Sequence, residues 1–284
     1  MSGNLRGGAL MAVAAVIFAA EALAIRLMTA RGIPVEVQVF FRAFGQLLWV
    51  APLIAASGLA VFRTRRPALH LLRGASSLLT WGFYFASFGP LDLATATVLS
   101  FTNVMFTTLL AGPVLGERVD LWRWAGTIAG FIGVAVMLRP GTTVSTLGVG
   151  LALAAAVTWC GITLTSRVLA QQDRNTTIMA WVGMITTIGS APFAVMAWVP
   201  LGLVDGLILL GVACFAPGII WMVTSAYRHG EASAIAPFQY LRLIFVTGFG
   251  WLFFAEVPDG WTWAGAAVIL TGALIVTLAE ARRR

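Results

Sequence analysis

Apolar residues in this chain run in blocks of about 18–24, the length a helix needs to cross the hydrocarbon of a bilayer. Ten such blocks fall near 7–29, 36–58, 69–88, 91–115, 121–138, 147–168, 176–197, 201–223, 232–255 and 261–279. The linkers between them are short, and several carry turn residues, such as "GPLD" at 89–92. Charged residues make up 10% of the chain. Soluble domains carry about 25%, so a water-facing surface is excluded. The expectation is an all-α, polytopic membrane protein of ten transmembrane helices. The first block resembles a signal peptide, but its length and the presence of Glu21 predict a retained first span.

The net charge of +7 does not point to nucleic acid. All 18 basic residues are arginine, and most lie between the blocks, where they act as topology signals. With the N-terminus in the cytoplasm, 13 arginines fall on the inner side, including Arg73, and Arg26, Arg31 and Arg139 on the outer side. That bias predicts both termini in the cytoplasm, in a bacterial inner membrane. Cys160 and Cys214 match no metal or redox spacing and read as small core residues.

An internal repeat sets the architecture. "GERVDLWRWAG" at 116–126 aligns without gaps to "AEVPDGWTWAG" at 255–265, a shift of 139 that pairs Glu117 with Glu256 and Trp124 with Trp263. The same shift pairs Gly133 with Gly272 and Asn103 with Arg242; at 141, Arg26 meets Arg167. The repeats are residues 1–140 and 141–284. Each holds five spans, an odd number, so the second copy enters the membrane from the opposite side. Such inverted repeats pack around a central cavity with a midplane binding site, as in secondary transporters.

The repeated pattern also carries a resemblance. A span ending in Gly-Glu or Ala-Glu, then Trp-x-Trp-x-Gly and a Gly seven residues on, resembles the EamA domain of the drug/metabolite transporter superfamily. The stretches "FRAFGQLLWVAPLI" at 41–54 and "LDLATATVLSFTNVMFTTLLAGPVLGERV" at 91–119 are similar to that family's second and fourth spans, and Ala255 departs from its Gly-Glu form. The resemblance covers 5–139 and 147–279. It implies a ten-helix inner-membrane carrier of small organic metabolites, often an amino-acid exporter.

Three ionisable residues lie well inside spans: Glu21, Arg42 and Arg242. Charges there are costly, about 2.5–3.5 kcal/mol each on insertion scales, and face a cavity or a partner. At a rise of about 1.5 Å per residue, Glu21 and Arg42 sit at similar depth and Arg242 close to the midplane. Glu21 and Arg42 are therefore a charge pair, or Glu21 is the group that couples proton movement to transport. Arg242 is either the anchor for a substrate carboxylate or a structural arginine paired with Glu21 or helix carbonyls. Trp81, Tyr84, Asn103, Trp159, Trp221, Gln239 and Tyr240 fall at similar depth and are candidates to line a substrate pocket, against the alternative of lipid-facing or interhelical packing. Trp122, Trp124, Trp198, Trp261 and Trp263 read as interfacial belt residues. Glu117 and Glu256 read as structural helix-end groups. Pro192 and Pro237 are placed to kink spans 7 and 9.

The leading expectation is a secondary transporter working by alternating access, an amino-acid exporter or exchanger with aromatic and neutral amino acids included. The alternative is uptake of a larger metabolite such as S-adenosylmethionine or riboflavin. A membrane enzyme is disfavoured, because His70 and His229 lie near the interface and form no known catalytic motif. A channel is disfavoured by the scarcity of pore-lining charge. The expected partners are a small-molecule substrate and the lipid bilayer, with no cofactor, no metal and no catalytic residue, and the expected state is a monomer.

Overall fold

The computed structural model describes residues 3–115, 121–137, 144–169, 171–229 and 236–281. Among these residues every element is helical. In chain order they are α1 (Gly3–Ala30), α2 (Val35–Ser57), α3 (Pro67–Ser87), α4 (Leu93–Ser100), α5 (Asn103–Leu115), α6 (Leu121–Met137), α7 (Thr146–Leu169), α8 (Asn175–Met196), α9 (Leu203–His229), α10 (Leu241–Phe254) and α11 (Gly260–Ala281). Short 3₁₀ turns occupy Gly58–Phe62 and Ala236–Tyr240. Each of the ten apolar blocks thus holds helix. Six stretches are long and apolar enough to cross a membrane: Leu5–Ala30, Val35–Ala56, Leu93–Leu110, Thr146–Ser166, Asn175–Met196 and Leu203–Val223. Trp124–Val136, Phe238–Phe254 and Gly260–Ile275 are shorter apolar helices. In α3 the apolar character is diluted by an inward polar set that includes His70, Ser76, Ser77 and Thr80.

Two of the blocks are broken, at positions that the repeat makes equivalent. In the block 91–115 the helix stops at Ser100 and restarts at Asn103, with Phe101 and Thr102 in a tight turn. The hydroxyls of Ser100 and Thr102 donate to the carbonyls of Thr97 and Leu99, the latter also accepting the Thr102 backbone N–H, so that side chains supplement the backbone bonding at the break. In the block 232–255 the turn Ala236–Tyr240, which contains Pro237, gives way to α10 at Leu241. At the shift of 139, the pair Phe101–Thr102 corresponds to Tyr240–Leu241, and the rings of Phe101 and Tyr240 meet with centroids 5.0 Å apart. Asn103 and Arg242 each follow their break directly.

The packing has the same twofold logic. Helix α1 lies on α9 as α3 lies on α7, and α2 lies on α9 as α3 lies on α8. Helix α1 also meets α10 as α7 meets α5, while α2 with α8 and α6 with α11 are self-paired. Exchanging the two halves therefore maps these main contacts onto themselves. Gly133 and Gly272, the repeat-matched pair, let α6 and α11 touch. A Cβ on Gly272 would stand 2.5 Å from the Gly126 carbonyl oxygen, and one on Gly133 2.8 Å from that of Gly265. Such close helix approach by small residues is how membrane helices gain packing energy. We predict that Gly272→Ala destabilises the protein by about 1–3 kcal/mol. Gly150→Ala, whose Cβ would meet open space, is the control and leaves the melting temperature in detergent unchanged or raised.

The exterior suits lipid. Trp49, Leu53, Ile188, Phe193, Leu210 and Trp251 are exposed on helix surfaces. Trp122, Trp124, Trp198, Trp261 and Trp263 are exposed at or near helix ends. Cys160 is buried as expected, but Cys214 is exposed on α9, because its neighbours Val212 and Ala213 turn the inward face of that helix away from it.

Candidate functional site

A cavity of about 530 Å³ opens inside the bundle, walled by α1, α2, α3, α5, α7 and α9 and by the segment 239–242. Both helix breaks reach it, through Ser100, Phe101 and Asn103 on one side and Gln239 and Arg242 on the other. Helix breaks bring unpaired backbone groups and re-aimed side chains to mid-depth, which is where transporter sites form.

Arg242 is 7% exposed and lines this cavity. Its Nη2 donates to Ser100 Oγ at 3.0 Å. Its guanidinium carbon lies 4.4 Å from the ring centroids of both Phe18 and Phe101, and 5.9 Å from that of Trp159. Its Nε is buried with no hydrogen-bond partner. A guanidinium has five N–H donors and keeps its charge when buried. Here the rings and one hydroxyl stabilise it, and it forms no ion pair among the described residues.

Glu21 and Arg42 form the second charged group. Arg42 Nε donates to Glu21 Oε1 at 2.8 Å, and both side chains are buried. Arg42 lies over Trp81, 3.4 Å from the ring centroid, and lines the cavity; Glu21 does not. Trp81, Trp159 and Phe18 stack into one aromatic wall, with Trp81 and Trp159 5.3 Å apart.

Of the residues that the sequence singles out for the pocket, Trp81, Asn103, Trp159, Gln239 and Arg242 come together on its wall, joined by Arg42, which the sequence offers only as half of a charge pair. Tyr84 and Tyr240 stand behind it. Tyr84 is buried, with its hydroxyl 3.2 Å from Thr97 Oγ1, and Tyr240 packs its ring on Phe101. Trp221 is a correction: it is 57% exposed on the outside of α9. Ile219, Ile220 and Val223 give that helix its cavity face. At about 100° per residue, that face turns position 221 outward.

Sequence reasoning missed several wall residues. Arg73, read as a topology signal, lines the cavity. Its Nε donates to Ser166 Oγ at 2.8 Å and its Nη1 to Ser77 Oγ at 2.6 Å. The available signal was its place inside the apolar block 69–88; in the structure it is the seventh residue of α3, deep enough to turn inward. Phe18, Ser100 and Phe101 were also missed, because an aromatic or a serine in an apolar run has no distinctive pattern.

The wall runs from Arg242 toward the end of the bundle that holds the N-terminal ends of α1 and α3, through Met11, Arg73, Thr108 and Val223. At the opposite end a group centred on Glu256 ties α1, the start of α4 and the end of α10 together. Its Oε1 accepts from Arg26 Nη2 at 3.0 Å, and its Oε2 from the Leu93 backbone N–H, at the start of α4, at 2.9 Å. Arg26 also donates to the Gly89 carbonyl, 3.0 Å away, and lies against the Phe254 ring. Ala255 explains the Gly-Glu pattern: its φ of 54° is left-handed, the conformation that favours glycine, and it aims the next residue at α4. Its counterpart, Glu117, lies outside the described residues.

The histidine motif question resolves structurally at the N-terminal end of α3. His70 is fully buried, stacked on Trp181, and its Nε2 is 2.9 Å from Asp173 Oδ2. Burial pushes the Asp173 carboxyl up, but hydrogen bonds from His70 and Thr64 outweigh this and hold it below the ordinary aspartate value. The side chain of His229 lies outside the described residues.

Comparison with known proteins matches this geometry to one family. The profile of the EamA-like transporter family matches residues 5–139 and, again, 146–278. A riboflavin transporter of Rhizobium johnstonii is 33% identical over 242 residues, 83% of this chain and 78% of its own. An S-adenosylmethionine uptake transporter of Rickettsia prowazekii is 28% identical over 243 residues, 85% of this chain and 82% of its own. The pseudopaline exporter CntI of Pseudomonas aeruginosa is 26% identical over 278 residues, 96% of each chain. Two copies of the family pattern, wrapped about one internal cavity, make this chain a member of the EamA-like transporter family: a multi-pass membrane protein that transports a small molecule.

Proposed function

We propose that the protein is a secondary carrier of small organic metabolites bearing a carboxylate, of the amino-acid class, working by alternating access in a bacterial inner membrane. The observation that carries the reading is Arg242: a buried guanidinium on the cavity wall, with an unused donor and no ion pair among the described residues, feeling only the field of the Glu21 carboxylate that Arg42 binds directly. It binds the carboxylate at the closed end, while Trp81 and Trp159 contact the apolar part of the solute. Asn103 and Gln239 supply further polar contacts, and Tyr84 and Tyr240 brace the wall. The repeats 1–140 and 141–284 are inverted, both termini are cytoplasmic, and the carrier acts as a monomer. In that orientation the cavity faces the cytoplasm and the Glu256 group is the closed outer gate. Glu21 serves as the charge partner of Arg42.

A second reading, uptake of a larger metabolite, is favoured by the cavity itself. Its volume of about 530 Å³ falls in the range of roughly 300–1,000 Å³ that suits solutes larger than an amino acid. Two relatives carry the names of S-adenosylmethionine and riboflavin. Counterflow into proteoliposomes separates the readings: saturable exchange of labelled amino acids supports the first, and exchange of S-adenosylmethionine or riboflavin alone supports the second. Linear flux of every solute would discard both.

The gate gives its own prediction. Glu256→Gln removes the charge that holds Arg26 and Leu93, so it shifts the conformers toward the outward-open state. A partly buried ion pair of this kind contributes about 1–3 kcal/mol, a change of roughly 5–150-fold in the conformer ratio. A cysteine placed near residue 101 should then react faster with an impermeant thiol reagent added from outside. An unaltered rate would remove Glu256 from the gate.

A further inference from the structure

The cavity holds more positive charge than one carboxylate answers. Three guanidiniums line it, those of Arg42, Arg73 and Arg242. Glu21 is the one fully buried acidic side chain among the described residues, and Arg42 takes it up. Arg73 and Arg242 are bonded only to hydroxyls: Ser77 and Ser166 for the first, Ser100 for the second. Arg73 is also not positioned as a surface topology signal. Its side chain bridges α3 and α7, reaching a full turn along α3 to Ser77 on the cavity wall, instead of extending toward lipid headgroups. Two guanidiniums with no ion pair among the described residues, Arg242 sharing only the field of the Glu21 that Arg42 binds, face one enclosed space, and an anionic solute there offsets the cost of burying them.

Resting on the carrier reading above, we infer that the transported solute bears two acidic groups, one held by Arg242 at the closed end and one by Arg73 nearer the mouth. Ser77 is one turn of α3, about 5.4 Å, from the level of Trp81. The second anionic group therefore sits about one helical turn from Trp81, the first lies against Phe18 and Trp159 beside Arg242, and the solute body lies along Trp81 and Trp159. A dicarboxylic amino acid or a longer polycarboxylate has this form. A phosphomonoester bearing a carboxylate shares the chemistry. The selectivity follows from Arg73, which adds attraction only for the second anionic group.

The test uses thermal unfolding of the purified full-length protein with matched probes: glutamate against glutamine, glutarate against its monoamide, and a carboxylated phosphomonoester. The diacids should raise the midpoint at concentrations about tenfold lower than their amides, the worth of one charge-assisted contact. Arg73→Gln should erase that tenfold preference yet keep the response to the monoacids, and Arg73→Lys should retain most of it. A merely structural Arg73 would lower all midpoints without changing the ratio. A ratio near one in the unmodified protein, or a ratio that survives Arg73→Gln, overturns the inference. No response to any diacid also overturns it. The carrier reading fails separately, if Arg242→Ala leaves the monoacid response intact. A phosphomonoester preferred over every diacid assigns the second group as phosphate and supports the inference.

Discussion

Replacing Arg242 with methionine abolishes saturable counterflow and leaves a folded, more stable protein. The two effects have one cause. Among the described residues the buried guanidinium has a single hydroxyl partner and an unpaired Nε. Burying charge without a counterion costs several kcal/mol, and apolar replacement of buried ionic groups is neutral or stabilising by about 1–4 kcal/mol. When solute is bound, the same group pairs with a carboxylate through its planar fork. Truncating one partner of a buried charged contact costs about 2–5 kcal/mol, a loss of roughly 30-fold to several thousand-fold in affinity. Arg242→Lys keeps the charge but loses the fork and the stacking on Phe18 and Phe101, so it falls between the two. Counterflow and melting temperature, measured on the same preparation, check the claim. Normal exchange by Arg242→Met would sink it. A fall in melting temperature would mean that the arginine supports the helix break and does not anchor a ligand.

The Glu21–Arg42 pair gives the opposite signature. Both groups are buried, and they meet at 2.8 Å. Glu21→Gln strands the Arg42 cation and should destabilise the protein by about 3–5 kcal/mol. Arg42→Met strands the carboxylate, to similar effect. The double substitution removes both charges and should recover most of the loss, so a double-mutant cycle should return a coupling of roughly 2 kcal/mol or more. Additive effects would show that the two side chains do not stabilise one another. Retained stability with a changed pH dependence of transport in Glu21→Gln would restore the coupling role that the sequence left open.

The contrast between these arginines shows where one-dimensional reading stops. Depth along a span follows from counting residues, so Glu21, Arg42 and Arg242 were legible as intramembrane charges, and the first two as candidates for a pair. Azimuth around a helix is not legible in an apolar run. Trp221 has the same depth as the cavity residues but faces outward, because neighbours on both sides of it fill the inward face of α9. Arg73 was misassigned for the complementary reason. Its helix begins at Pro67, two residues before the apolar block read from the sequence, and the turn of its side chain toward Ser166 depends on where α7 lies. The Glu256 group combines α1, the start of α4 and the end of α10, segments up to 230 residues apart. No local pattern joins them.

Residue order alone settles the solvent, the helical class and the twofold repeat. Each is a matter of composition or periodicity along the chain, and lipid leaves a backbone of this length few ways to satisfy its hydrogen bonds. Only packing in three dimensions selects which face of each helix meets the cavity, which arginine pairs with the buried Glu21 carboxylate, and which helix ends the Glu256 group ties together. The physical reason is that charge compensation and close helix contact depend on distances between segments remote in sequence, and those distances exist only once the two halves have docked.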